Sequence, residues 1–166
     1  EPLQNLKDTL SQGMDNVRNS VHDLHDDAID LHTTLFKLLE DFTFCKTSLE
    51  YDVLHPMCQS MVYHILAIVK ESLNNAAKHS NASCYQIILR EQPAFYQLIL
   101  QDNGTQTTTL DILQKGMGLS NMKERVEAMH GYLNISQQAG FQIYITLHKK
   151  EEEQHEDFIS GWWPAG

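Results

Sequence analysis

Residues 56–79 carry apolar side chains at helical spacing along one side only, and that pattern restricts the fold more than any other stretch. At about 100° per residue, Cys58, Val62, Ile65, Leu66, Val69, Leu73 and Ala76 cluster on one side. Glu71, Asn75, Lys78 and His79 share an arc of roughly a quarter turn opposite them. Pro56 suits the first turn of such a helix. A back this apolar must lie against a core, which leaves the polar stripe at the rim of that layer.

The flanking segments supply the other layer. Cys84 to Leu89 and Phe95 to Gln101 are rich in Ile, Leu, Tyr and Phe, and Glu91-Gln92-Pro93 gives the turn that pairs them as strands. Thr43 to Val53 is strand-like, and Leu133 to Ser136 with Phe141 to Leu147 form a closing hairpin around Ala139-Gly140. Two more helices are expected. One runs from Asp30 to Phe42 with Leu31, Leu35, Leu38, Leu39 and Phe42 on one face. The other runs from about Leu119 to His130, with Leu119, Met122, Val126 and Met129 as its stripe and Gly131 as its stop. The expected fold class is α+β: a mixed, mostly antiparallel sheet covered on one face by helices, a two-layer sandwich.

Ahead of it, Leu10, Met14, Val17, Val21, Leu24, Ala28 and Leu31 alternate steps of four and three, with Leu3 one heptad earlier. That period favours a bundle or dimer seam over a solitary amphipathic helix. The expected division is a helical arm over 1–29, a compact domain over 30–149 and a Glu-rich tail over 150–166.

Composition narrows the function. The formal net charge of −10 repels nucleic acid and anionic lipid, so an anionic ligand needs a local device. The three cysteines and nine histidines show no metal-ligand spacing. The longest apolar stretch, Met61 to Val69, is interrupted by His64 and far shorter than the ~20 residues a membrane helix needs.

Three places could carry chemistry. The stripe of Glu71, Asn75, Lys78 and His79 combines an amide oxygen, a carboxylate and a lysine, which suits Mg²⁺ and phosphate. Its everyday alternative is a solvated helix face with i,i+4 pairs. Asp102-Asn103-Gly104 follows a strand. There an Asp can accept from an exocyclic amine, and Gly104 lets backbone approach a flat ring; the same tripeptide is also a common turn. Lys115-Gly116-Met117-Gly118-Leu119 opens a helix, whose free N–H groups and partial positive charge attract phosphate. Glycines at helix entries are frequent without any ligand.

Their order carries more than any one of them. Glu71-Ser72-Leu73-Asn74-Asn75-Ala76-Ala77-Lys78-His79, then Asp102-Asn103-Gly104, then Gly116-Met117-Gly118-Leu119 resemble the N, G1 and G2 boxes of the ATPase fold shared by gyrase B, Hsp90, histidine kinases and MutL. Asn75-x-x-Lys78-His79 and Gly118-Leu119-x-x-Met122-x-x-Arg125-Val126 resemble the sensor histidine kinases of the nitrate-sensor and DesK-like group. Val17-Arg18-Asn19-Ser20-Val21 resembles that group's second dimerisation helix. The resemblance covers roughly residues 10 to 149.

It implies the ATP-binding catalytic domain of a two-component kinase, which donates the ATP γ-phosphoryl group to a histidine for relay to a LuxR-type response regulator. Asn75 would ligate Mg²⁺, Lys78 and His79 would lie at the nucleotide, and Glu71 would orient a metal-bound water or assist proton transfer. Asp102 and Gly104 would receive adenine, and Gly116, Gly118 and Leu119 would shape the lid, with Arg125 structural. The full protein would be a homodimer through its N-terminal helix, membrane-anchored, with this part cytoplasmic. The accepting histidine would lie upstream of Glu1, leaving His25, His22 and His32 as bystanders. Departures are Gln106 where a second glycine is frequent, a short lid from Thr105 to Lys115, and Gly140-Phe141 where Gly-Thr is frequent. Gln106 and Phe141 support a rival reading, a non-catalytic nucleotide-binding module of the same fold. A second rival, an ATP-hydrolysing conformational machine, has a much longer lid.

Overall fold

The computed structural model describes residues 28–105 and 116–149. Leu3, the heptad positions from Leu10 to Leu24, His22, His25, the lid from Gln106 to Lys115 and the tail from 150 lie outside the described residues.

The first helix, α1 (Leu31–Glu40), starts where Asp30 accepts the Thr33 N–H at 2.9 Å, an N-cap that satisfies one free donor of the first turn. It buries Leu31, Leu35 and Leu39. Strand β1 (Lys46–Asp52) follows. Helix α2 (Gln59–His79) begins three residues beyond Pro56. The delay has a cause: the backbone N–H groups of Leu54 and His55 donate to Glu91 Oε2 at 2.8 and 3.0 Å, which ties this segment to the sheet. Then come β2 (Cys84–Glu91), β3 (Phe95–Asp102), α3 (Met117–Ala128), β4 (Tyr132–Ser136) and β5 (Gln142–His148).

The strands lie in the order β1-β2-β3-β5-β4. Strands β1 and β2 are parallel, joined by the α2 crossover, and the other pairs are antiparallel. This is the expected mixed, mostly antiparallel sheet. Its inner face presents Tyr85, Ile87 and Leu89, then Tyr96, Leu98 and Leu100, then Ile143, Ile145 and Leu147, all buried beneath the helices. The other face carries polar side chains linked in series: Gln142 donates to Gln101 at 2.9 Å, and Gln101 to Gln86 at 2.6 Å.

Helix α2 is buried over a wider arc than its apolar stripe indicates. Met61, Ile68, Ser72 and Asn75 are covered as well, Ser72 against Tyr85 of the sheet, and α3 packs beside α2. Cys58, assigned to the apolar side, instead caps the helix and is exposed. Helix α3 ends two residues before His130. His130 itself adopts the left-handed conformation (φ 53°), donating to Glu127 C=O while Gly131 donates to Val126 C=O. That is a Schellman stop with histidine at the position glycine usually fills.

Candidate nucleotide site

At one end of the sheet, the loop leaving α2, the end of β3 and the β4–β5 turn converge, and the start of α3 meets α2 at Glu71. Asp102, the last residue of β3, is buried with only 6% of its surface exposed. Its Oδ1 accepts the Gly104 N–H at 2.7 Å. Among the described residues, no donor is bonded to its second carboxylate oxygen.

The surrounding turn is held from both sides. Asn103 Oδ1 accepts the N–H groups of Ser83 and Cys84 at 2.9 and 3.0 Å. Asn81 Oδ1 accepts the Thr105 N–H at 2.8 Å, and its amide donates to the Thr105 hydroxyl at 3.0 Å. The loop leaving α2 therefore fixes the Asp-Asn-Gly turn. Asn81 and Asn103 were missed as site-builders from sequence, since an Asn beside a turn looks like ordinary turn chemistry.

The hairpin closes the same corner. Asp102 N–H donates to Phe141 C=O at 2.9 Å. Gly140 has φ +104°, and a methyl there would strike the Asp102 carbonyl, so both conformation and space demand glycine. Between the turn and the hairpin lies an open cleft of about 310 Å³, lined by residues including Gly104, Gly140 and Phe141.

The second half of the site is the meeting of α2 and α3. A methyl on Gly118 would collide with the Glu71 carboxylate, so the glycine turn and the helix touch directly. Glu71 and Gly118 are half-buried, Leu119 is buried and anchors the turn, and Gly116 is exposed at its mouth. Asn75, one turn beyond Glu71, lies at the edge of the buried arc with 8% exposed. Its amide makes no side-chain hydrogen bond to another described residue. This departs from the solvated stripe expected from the 100° spacing. Lys78 is exposed, and His79 is half-buried at the end of α2. Arg125 is exposed on α3, outside this cluster. It faces toward His64, whose pKa is lowered first by burial and then by that positive charge. Among the described residues no group of three His, Cys, Asp or Glu side chains could hold a metal ion.

The family model for the histidine kinase-, DNA gyrase B- and HSP90-like ATPases matches residues 62–151, a range that contains all three segments. The chain belongs to that ATPase family. Relatives include the histidine-protein kinase/phosphatase UhpB of Salmonella typhimurium, 32% identical over 55% of this chain and 18% of that protein. The kinase/phosphatase DegS of Brevibacillus brevis is 27% identical over 91% of this chain and 42% of its own length. The chain thus spans less than half the length of either. Among solved structures, the Acinetobacter baumannii histidine kinase AdeS superposes with a TM-score of 0.60 at 19% identity, covering 90% of this chain and 83% of that one. A blue-light activated histidine kinase domain from Erythrobacter litoralis gives 0.61 at 17% identity, over 72% of this chain and 61% of that one. Both show the fold. The α+β sandwich and the sensor-kinase resemblance are borne out. Among the described residues no helix is long and apolar enough to cross a membrane.

Proposed function

We propose that this chain is the ATP-binding, phosphoryl-donating part of a two-component sensor histidine kinase. The observation that carries the reading is the pairing of two differently equipped ends. Asp102 offers a buried carboxylate oxygen beside a cleft, and Glu71, one helical turn before Asn75, lies against the Gly118 turn.

Asp102 accepts the adenine amine, which guanine's carbonyl cannot supply. The Gly116–Leu119 turn and the N-terminus of α3 face the phosphates with backbone N–H groups, and Lys78 adds a point charge. Mg²⁺ fits the residues present. The Asn75 amide is nearly buried and has no partner among the described side chains, so its oxygen is available as a neutral hard ligand. Bound there, Mg²⁺ supplies charge neutralisation to the phosphate oxygens. Glu71, held at Gly118, orients the reacting group or takes its proton. The γ-phosphoryl then passes to a histidine imidazole on a separate helical hairpin, for relay to a LuxR-type response regulator. The domain works as a dimer through its N-terminal helix, on the cytoplasmic side of a membrane-anchored protein. Residues 1–29, 30–149 and 150–166 form the arm, the catalytic domain and the tail.

Calorimetry with Mg·ATP and Mg·GTP on the wild type and Asp102→Asn tests the base assignment. ATP is preferred by the wild type, and the variant loses about tenfold in ATP affinity, the order expected for a hydrogen bond to a charged group. Equal affinity of the wild type for ATP and GTP would overturn it. Transfer from labelled ATP to a supplied histidine hairpin tests the donor role, and its absence in a protein that binds ATP favours the non-catalytic module.

A further inference from the structure

Among the described residues, one buried side-chain hydrogen bond links α2 to the sheet. The Tyr85 hydroxyl lies 2.6 Å from Ser72 Oγ, with Tyr85 2% and Ser72 4% exposed. Neither residue belongs to the site described above, yet each touches it through the chain. Tyr85 is the cross-strand partner of Asp102, so the two side chains leave the sheet on the same face. Ser72 follows Glu71 directly and precedes Asn75 by just under a turn of α2.

We propose that Tyr85 and Ser72 are positioning residues that fix the span between Asp102 and the Glu71–Asn75 end of the site. The inference rests on the nucleotide reading and deepens it. Apolar packing alone lets a helix slide over a sheet by small amounts. A 2.6 Å hydrogen bond between buried hydroxyls does not, because distance and angle are both restricted and a broken bond leaves two buried polar groups unpaired. The Tyr85 ring is itself braced by Phe42, 6.0 Å between centroids, so the hydroxyl stands on a fixed base. A shift of α2 would carry Glu71 and Asn75 away from a nucleotide whose base stays at Asp102. A ligand gripped at both ends feels that shift, and one gripped only at the base does not.

The test is calorimetry with adenosine and with Mg·ATP on the wild type, Tyr85→Phe, Ser72→Ala and Ser72→Thr. In Tyr85→Phe and Ser72→Ala, adenosine affinity stays within about twofold and Mg·ATP affinity falls about tenfold, since misplacement by an ångström or less is enough. Ser72→Thr, which keeps the hydroxyl, retains the wild-type ratio of the two affinities. A merely structural pair would lower the melting temperature and leave that ratio unchanged. An unchanged ratio in folded Ser72→Ala or Tyr85→Phe overturns the inference while the nucleotide reading stands. A wild type that binds neither ligand overturns the reading and the inference together.

Discussion

Gly118, at the turn that opens α3, lies directly against the carboxylate of Glu71 on α2, with no room for a methyl between them. The two residues are 47 apart in sequence, so only the packing of α3 beside α2 brings them together. Gly118→Ala pushes the carboxylate aside. Because the displaced atoms are the free end of a flexible side chain, stability falls by less than about 1 kcal/mol. Phosphoryl donation falls about 10- to 100-fold, since the group at the reacting end is misplaced. Thermal melts paired with transfer to a supplied histidine hairpin check both halves. Wild-type transfer by Gly118→Ala would remove Glu71 from the chemistry.

Asn75 provides a second test. It stands at the rim of the buried arc with no side-chain partner among the described residues. Asn75→Ala therefore leaves no orphaned donor behind and costs about 1 kcal/mol or less. Transfer is lost, and Mg²⁺ no longer strengthens ATP binding. Titrating Mg²⁺ against the ATP-bound variant shows this directly. A Mg²⁺ dependence like that of the wild type would exclude the amide as a ligand.

The legible parts of this protein are those governed by short-range pattern. The apolar stripe of α2 and the strand pair at 84–102 follow from local spacing, and the two glycine-bearing segments fall at the end of β3 and the start of α3. What stayed hidden depends on neighbours distant in sequence. The burial of Asn75 depends on what packs around α2, which no single-helix projection contains. Helix α2 starts late because Glu91, 32 residues beyond Gln59, takes the backbone donors of Leu54 and His55. The Tyr85–Ser72 contact joins two residues that each look like ordinary core or helix positions alone.

The end of α3 makes a stability prediction. His130 holds the left-handed conformation at φ 53°, and its backbone N–H completes the Schellman stop. A side chain in that region is strained where glycine is not. His130 is exposed, so removing its imidazole leaves no cavity. His130→Gly raises stability by about 0.5–1 kcal/mol, and His130→Val, β-branched and ill-suited to positive φ, lowers it. Urea unfolding of the three proteins checks the order Gly above His above Val.

Far from the nucleotide corner, Glu91 makes stability depend on acid pH. Its carboxylate is held down at about 2, first by the Lys149 ammonium, then by the His55 backbone and ring and the Leu54 N–H, against an opposing push from burial. Lys149 also lies 5.1 Å from the centre of the Tyr96 ring, so the ammonium is positioned from two sides. The ordinary carboxylate value is 4.5, so the folded state favours the ionised form. The sign follows from linkage: the stabilisation is complete above the unfolded value and disappears as pH falls through the folded one. It is thus present in full above about pH 5 and lost progressively toward about pH 2. Glu91→Gln keeps an acceptor for the Leu54 and His55 N–H groups but has no proton to gain. Its unfolding free energy therefore lies below that of the wild type at neutral pH, and the gap closes between these limits. Urea titrations at a series of pH values measure the gap, and one that stays constant down to pH 2 would show that the carboxylate charge contributes nothing to the clasp.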